Sequence, residues 1–182
     1  ESLDKIVIYG GNSSLKRIHD LLFRVVFAGL RPPVTINLNL LEPDMVIMED
    51  DKFRLSAFPV VHRGSGCFGF VFEEKAKRPF LAEKASSLGV PFGPERSQLV
   101  QGQAVTLENG RVVTPDDVLG EATPGTKYVH IGDVGETAGL ADICQDAGAL
   151  VIEATHRDAE VERVRQFGHI RAAQATRVAN GA

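Results

Sequence analysis

Three short apolar runs in this chain end in an ionisable side chain: Val60-Val61-His62, His130-Ile131-Gly132-Asp133 and Val151-Ile152-Glu153. Runs this brief, rich in Val and Ile and closed by polar residues or glycine, read as buried strands. In open α/β sheets, the loops leaving the carboxyl ends of the strands converge along one edge. The pattern therefore places His62, Asp133 and Glu153 to meet. His169 is a fourth candidate, because Gly168-His169 opens a predicted helix over 171–179, where the positive end of the dipole favours a neutral imidazole. Neutral imidazole and ionised carboxylate are the donors that zinc or manganese takes when no thiolate is at hand. The spacing points to a metallohydrolase, and taken alone it also permits accidental placement.

The apolar runs are too short to cross a bilayer, and 43% hydrophobic with 24% charged residues is the composition of a folded globular chain. At 182 residues one domain is expected. Cys67 and Cys144 stand far apart, which excludes a zinc knuckle or a disulfide framework and suits a reduced cytoplasm. A net charge of −4 excludes a surface coated in basic residues, so any nucleic-acid contact must come from a local patch. The chain opens at Glu1 without a Met, as a piece cut from something longer would.

Lys5-Ile-Val-Ile-Tyr9 reads as a buried strand, and Gly10-Gly11 turns it into a helix capped by Asn12, Ser13 or Ser14, with Leu15, Ile18, Leu22 and Val25 on one face. A glycine turn before a helix can cradle a phosphate, but a lone Gly-Gly is more simply a tight turn. Strands follow over 34–40, 45–48, 53–61 and 68–73. Residues 75–102 show no core periodicity and carry Lys75, Lys77, Arg78 and Lys84, which marks a protruding arm. Asn109-Gly110 between apolar flanks is a hairpin signal. Strands at 128–131 and 149–152 flank a helix over 140–145. Of the remaining histidines, His19 lies on a solvated helix face, His130 reads as a core imidazole or a partner of the site, and His156 reads equally as a partner of the site or as part of a loop.

Taken together, these segments resemble ribonuclease Z, a family of zinc-dependent endonucleases of the metallo-β-lactamase superfamily. Phe58-Pro-Val-Val-His62, continued by Arg63 and by Cys67-Phe-Gly-Phe-Val-Phe-Glu-Glu74, resembles the family segment in which a metal-binding His precedes a Phe-Gly-Tyr-like strand. Leu88-Gly-Val-Pro-Phe-Gly-Pro94 resembles its Gly-Pro arm motif, and Val105-Thr-Leu-Glu-Asn-Gly-Arg-Val-Val113 the hairpin after the arm. Ile131-Gly-Asp133 resembles its Gly-Asp-Thr motif, Val151-Ile-Glu-Ala-Thr155 its His-Glu-Ala-Thr motif, and Phe167-Gly-His169-Ile-Arg-Ala-Ala-Gln-Ala175 its His-Ser-Thr segment. The motifs stand in family order from about Lys5 to the C-terminus.

The resemblance implies an αβ/βα sandwich, incomplete at both ends, with an arm. It implies two zinc ions per site, or manganese, with His62 holding one and Asp133 bridging both, and a water activated for attack on a phosphodiester. His169, oriented by Glu153, is then the proton donor to the leaving 3′-oxygen. Lys75, Lys77, Arg78, Lys84, Gly93, Pro94 and Arg96 become contacts to a tRNA precursor, in a cytoplasmic homodimer that removes 3′ trailers. The family's His-x-His-x-Asp-His signature is absent and is expected before Glu1, and its last metal-binding His is also absent, so this chain alone is expected to be inactive. Val134, Ile152 and Ile170-Arg171 depart from the family motifs. The other readings are a metallo-β-lactamase-fold hydrolase of small esters or phosphodiesters, and a non-catalytic half that binds RNA or dimerises.

Overall fold

The computed structural model of the chain describes residues 3–182, which form two compact units: residues 3–74 with Thr126–Ala182, and Lys75–Gly125. The sequence reading expects one domain. Among the described residues no helix is long and apolar enough to cross a membrane.

The first unit opens with strand β1 (Lys5–Gly10), helix α1 (Asn12–His19) and strand β2 (Thr35–Leu40), with β1 and β2 paired in parallel. Gly11 at the start of α1 has ordinary backbone angles, φ −71° and ψ 158°. Glycine is needed there for space, because a Cβ would stand 2.1 Å from the carbonyl oxygen of Gly66. Helix α1 passes directly into a π-helical stretch, Asp20–Val26. The widened turn carries Val25 off the face expected from a regular helix, so that it is 68% exposed while Leu15, Ile18 and Leu22 remain half-buried.

The main sheet contains β3 (Val46–Glu49), β4 (Phe53–His62), β5 (Gly64–Glu74), β8 (Lys127–Ile131) and β9 (Ala149–Ile152), in the order β3-β4-β5-β8-β9. β4 and β5 form a long antiparallel hairpin, with Phe58 opposite Gly69 and Val60 opposite Cys67. Helices α5 (Leu140–Cys144), α6 (Val161–Phe167) and α7 (Ala172–Asn180) complete this unit. Its core joins Phe58, Val60 and Val71 of the hairpin, Val129 and Ile131 of β8, Leu140 and Cys144 of α5, and Ala175 and Val178 of α7. Burying side chains such as Ile131 stabilises the fold by about 1.5–3 kcal/mol each.

The second unit contains α2 (Ala82–Ser87), α3 (Pro94–Val100), the hairpin β6 (Val105–Thr106) and β7 (Val112–Val113), and α4 (Pro115–Val118). The sequence reading closes this segment near residue 102 and finds no core in it. In the structure Ala85, Val90, Leu99, Val105, Val113 and Val118 form a core of their own, and the unit runs on to Gly125. Each of its helices has fewer than two turns and supplies one buried residue, so no period can show in the sequence. The hairpin turns at Asn109-Gly110 as its sequence signal implies, with Gly110 at φ +80°. Leu99 is fully buried, so Leu99→Ala should cost about 2–5 kcal/mol. Hydrogen exchange of the Lys75–Gly125 amides checks this, and protection unchanged from the parent would remove Leu99 from the core.

Candidate metal centre

The sheet order brings the candidate residues to one edge. β4 is antiparallel to β5, β5 is antiparallel to β8, and β8 is parallel to β9, so β4, β8 and β9 run the same way. Their carboxyl ends carry His62, then Asp133 two residues beyond β8, then Glu153 directly after β9. Along β4, Phe58 and Val60 are buried and His62 is half-buried, and the pairing shifts between Val60 and His62, which turns the imidazole out of the regular ladder. The loop after β8 is fastened to this edge by the Gly135 amide, which donates to the Val61 carbonyl at 2.6 Å. A Cβ on Gly135 would stand 2.8 Å from the Gly168 carbonyl oxygen, so glycine permits the approach.

His62, Asp133 and His169 each present one ligand atom, and all three atoms lie within 4.8 Å of one another. His62 Nδ1 lies 2.8 Å from the Gly168 carbonyl oxygen, which makes Nδ1 the donor and leaves Nε2 to face Asp133, 3.9 Å from its Oδ2. His169 Nδ1 lies 2.9 and 3.0 Å from the two oxygens of Glu153, so it too turns Nε2 to the cleft. The two rings stand 4.8 Å apart at 52°. Two imidazoles tied through Nδ1, with a carboxylate between them, are a donor set that suits zinc or manganese, and a group holding the far nitrogen is what orients such ligands. A metal held by His62 and Asp133 alone would leave two positions of a tetrahedral site to water, substrate or other ligands, with His169 Nε2 left to act on the reacting groups.

Glu153 is the most enclosed group of the cluster, its side chain 9% exposed. Burial pushes its carboxyl up. The Thr155 hydroxyl at 2.5 Å, the Val134 amide at 2.6 Å and the His169 imidazole outweigh that push and hold it below the usual carboxylate range. Asp133, by contrast, is 68% exposed and open to the cleft.

The structure corrects two placements. Helix α7 begins at Ala172, so His169 stands in the connection after α6 rather than on a helix start, where Gly168 at φ +67° ends α6. Its orientation therefore comes from Glu153 rather than from a dipole. His130 is exposed beside Tyr128, neither in the core nor in the cluster, because it alternates with the buried Val129 and Ile131. His19 is exposed, as expected for a solvated face. His156 packs edge-on to His169 at 6.0 Å and over Phe167 at 6.4 Å. Its backbone bonds to Ile170 and Ala172, and its Nε2 is buried with no hydrogen-bond partner among the described residues.

Sequence reasoning missed the groups that hold the cluster. These are the Gly168 carbonyl, the Val134 amide, the Thr155 hydroxyl and Arg63, whose Nε donates to the Phe167 carbonyl from a residue at φ +40°. Backbone groups leave no side-chain signal; Thr155, two residues after Glu153, was the one legible clue. The motif departures Val134 and Ile170 are fully buried in the core.

In the second unit, Arg78 is engaged with Asp116 at 2.6 Å and with the Gly120 and Leu119 carbonyls, and Arg96 with the Pro91 and Val90 carbonyls and the Ser86 hydroxyl. These two arginines hold the unit's own loops. Lys75, Lys77 and Lys84 are exposed, and Gly93 at φ +145° precedes Pro94 at the start of α3.

No family model matches the chain. It is 42% identical over 175 residues to a ribonuclease Z of Bradyrhizobium diazoefficiens, covering 96% of this chain and 58% of that protein. It is 32% identical to a ribonuclease Z of Haloferax volcanii over 98% of this chain and 56% of that one. Over 74% of its length it is 37% identical to the zinc phosphodiesterase ELAC protein 1 of Homo sapiens, covering 38% of that protein. Among solved structures it superposes on human tRNase Z, short form, with a TM-score of 0.54 and 19% identity, over 97% of this chain and 56% of that one, a likeness of fold. The chain thus spans a little over half the length of the ribonuclease Z relatives it matches. With a mixed α/β fold like that of the human tRNase Z structure, the chain is a homologue of the ribonuclease Z proteins along nearly its whole length.

Proposed function

We propose that this chain carries part of the catalytic centre and the arm of a metal-dependent endoribonuclease that removes 3′ trailers from tRNA precursors in the cytoplasm. The observation that carries the reading is the convergence of His62, Asp133 and His169, with Glu153 behind His169, in a chain homologous to proteins named ribonuclease Z. The human relative's name supports zinc, and manganese suits the same donors. His62 and Asp133 hold the metal in this reading, with Asp133 exposed enough to serve a second ion. When bound, zinc lowers the pKa of water toward neutrality and so supplies a nucleophile for the phosphodiester.

His169 then acts on the leaving group. Its Nδ1 is held by Glu153, so its Nε2 can deliver a proton to the departing 3′-oxygen of the tRNA. The products are a 3′-hydroxyl on the tRNA and a released trailer. Lys75, Lys77 and Lys84 contact phosphates, Gly93-Pro94 shapes the loop beside them, and Arg78 and Arg96 keep that surface in form. A homodimer is the working assembly.

The test compares the isolated chain with the protein expressed from the whole reading frame that encodes it. The longer protein should cleave a precursor tRNA transcript at the trailer, lose activity to a chelator and regain it with zinc. The isolated chain should bind zinc weakly and leave the transcript intact. Absence of cleavage by the longer protein would refute the reading, and turnover by the isolated chain would show that the ligands lie elsewhere.

A further inference from the structure

Phe92 stands 86% exposed in the loop between α2 and α3. An aromatic ring left in water forgoes the stabilisation that burial would give. This ring is nevertheless held in place. The Arg96 guanidinium lies 3.7 Å from its centroid. That guanidinium is itself bonded to the Pro91 carbonyl at 3.1 Å, the Val90 carbonyl at 3.0 Å and the Ser86 hydroxyl at 3.0 Å. Pro91 and Pro94 restrict the backbone on either side. One face of the ring is covered by a cation, and the other is open to solvent.

A flat, pre-ordered aromatic surface with a cation behind it and lysines on the same unit suits one partner chemistry. A nucleobase stacks its π-face on the ring, keeps its polar edges in water and brings a phosphate toward the cations. A protein partner would be expected to surround such an anchor with apolar neighbours that exclude water, whereas here the backing group is a guanidinium. We propose that Phe92, held by Arg96, is a stacking platform for one unpaired nucleobase of the RNA substrate. This rests on the reading that the chain handles RNA, and it adds a base contact to the phosphate contacts of the lysines.

The chain contains no Trp, so Phe92→Trp places a single indole in it, at the platform. Titration with a precursor tRNA transcript should quench its emission, and polyphosphate, which has charge but no bases, should not. Phe92→Ala and Phe92→Leu should each weaken binding of the transcript about 5- to 100-fold, the worth of one base stacked on an aromatic side chain. Both should leave the slope of log affinity against log salt unchanged, whereas replacing Lys75, Lys77 and Lys84 with alanine should flatten it. Binding by anisotropy with unmoved Trp emission would overturn the platform and leave the RNA reading intact. Quenching that grows with protein concentration in the absence of RNA would assign the surface to a second copy and overturn it as well. No binding of the transcript by the folded chain would overturn both the platform and the RNA reading.

Discussion

Replacing Asp133 with alanine should weaken zinc binding by this chain about 100-fold and lower precursor cleavage by the longer protein by a similar factor or more. Four-ligand zinc sites bind with roughly 10–16 kcal/mol, or about 3 kcal/mol per donor, which is close to two powers of ten in affinity. Asp133 is the carboxylate of the ligand trio, its Oδ2 3.9 Å from His62 Nε2. Its side chain is 68% exposed, so alanine there removes little packing and the urea midpoint of the metal-free chain should hardly move. Asp142→Ala, on an exposed face of α5, is the matched control. Calorimetry with zinc on the two variants and the parent decides the matter. Equal affinity for all three would take Asp133 out of the metal site.

What the sequence could show of this site was the set of side chains at strand ends. Val60-Val61-His62, Ile131-Gly132-Asp133 and Val151-Ile152-Glu153 are legible because each ends an apolar, β-branched run with an ionisable residue at the sheet edge, although Val61 and Val151 prove exposed and β9 buries no residue fully. The parallel course of β4, β8 and β9 then brings those edges together. The hairpin at Asn109-Gly110 was legible for a different reason, since its turn needs one residue at positive φ and Gly110, at φ +80°, supplies it. The second unit's core was hidden because Ala85, Leu99 and Val118 come one from each short helix. Arg78 and Arg96 read in the sequence as RNA contacts, and their bonds to the unit's own carbonyls stayed hidden because a carbonyl acceptor can be any residue and so leaves no trace in sequence. The π-helical turn before Val26 was likewise invisible, since no residue type in Asp20–Val26 signals it.

Glu153→Gln should separate the two things this carboxylate does. In the parent it accepts the Val134 amide, the Thr155 hydroxyl and the His169 imidazole N–H on two oxygens, with its side chain 9% exposed. Glutamine keeps the shape and one acceptor oxygen, but its NH2 group turns a donor toward a donor. The loss of charge-assisted bonds should cost about 2–3 kcal/mol of stability near neutral pH. The pH dependence follows from the direction of the shift. The carboxyl is held below its ordinary range in the folded chain, so the unfolded chain takes up a proton first as the pH falls. The stabilisation is therefore complete above the unfolded glutamate pKa of about 4.3 and is lost as the pH drops through the lower folded value. Urea titrations of the metal-free parent and variant should show a constant gap near neutrality that narrows only below about pH 4. In the longer protein, His169 would lose the group that fixes Nδ1 as its donor, and cleavage should fall roughly 10- to 100-fold, as when an orienting partner is removed from an active-site histidine. A gap in stability that persists unchanged into acid would mean that the shape of Glu153, rather than its charge, holds the cluster together. Unchanged cleavage would mean that His169 takes its orientation from the packing of His156 and Phe167 instead.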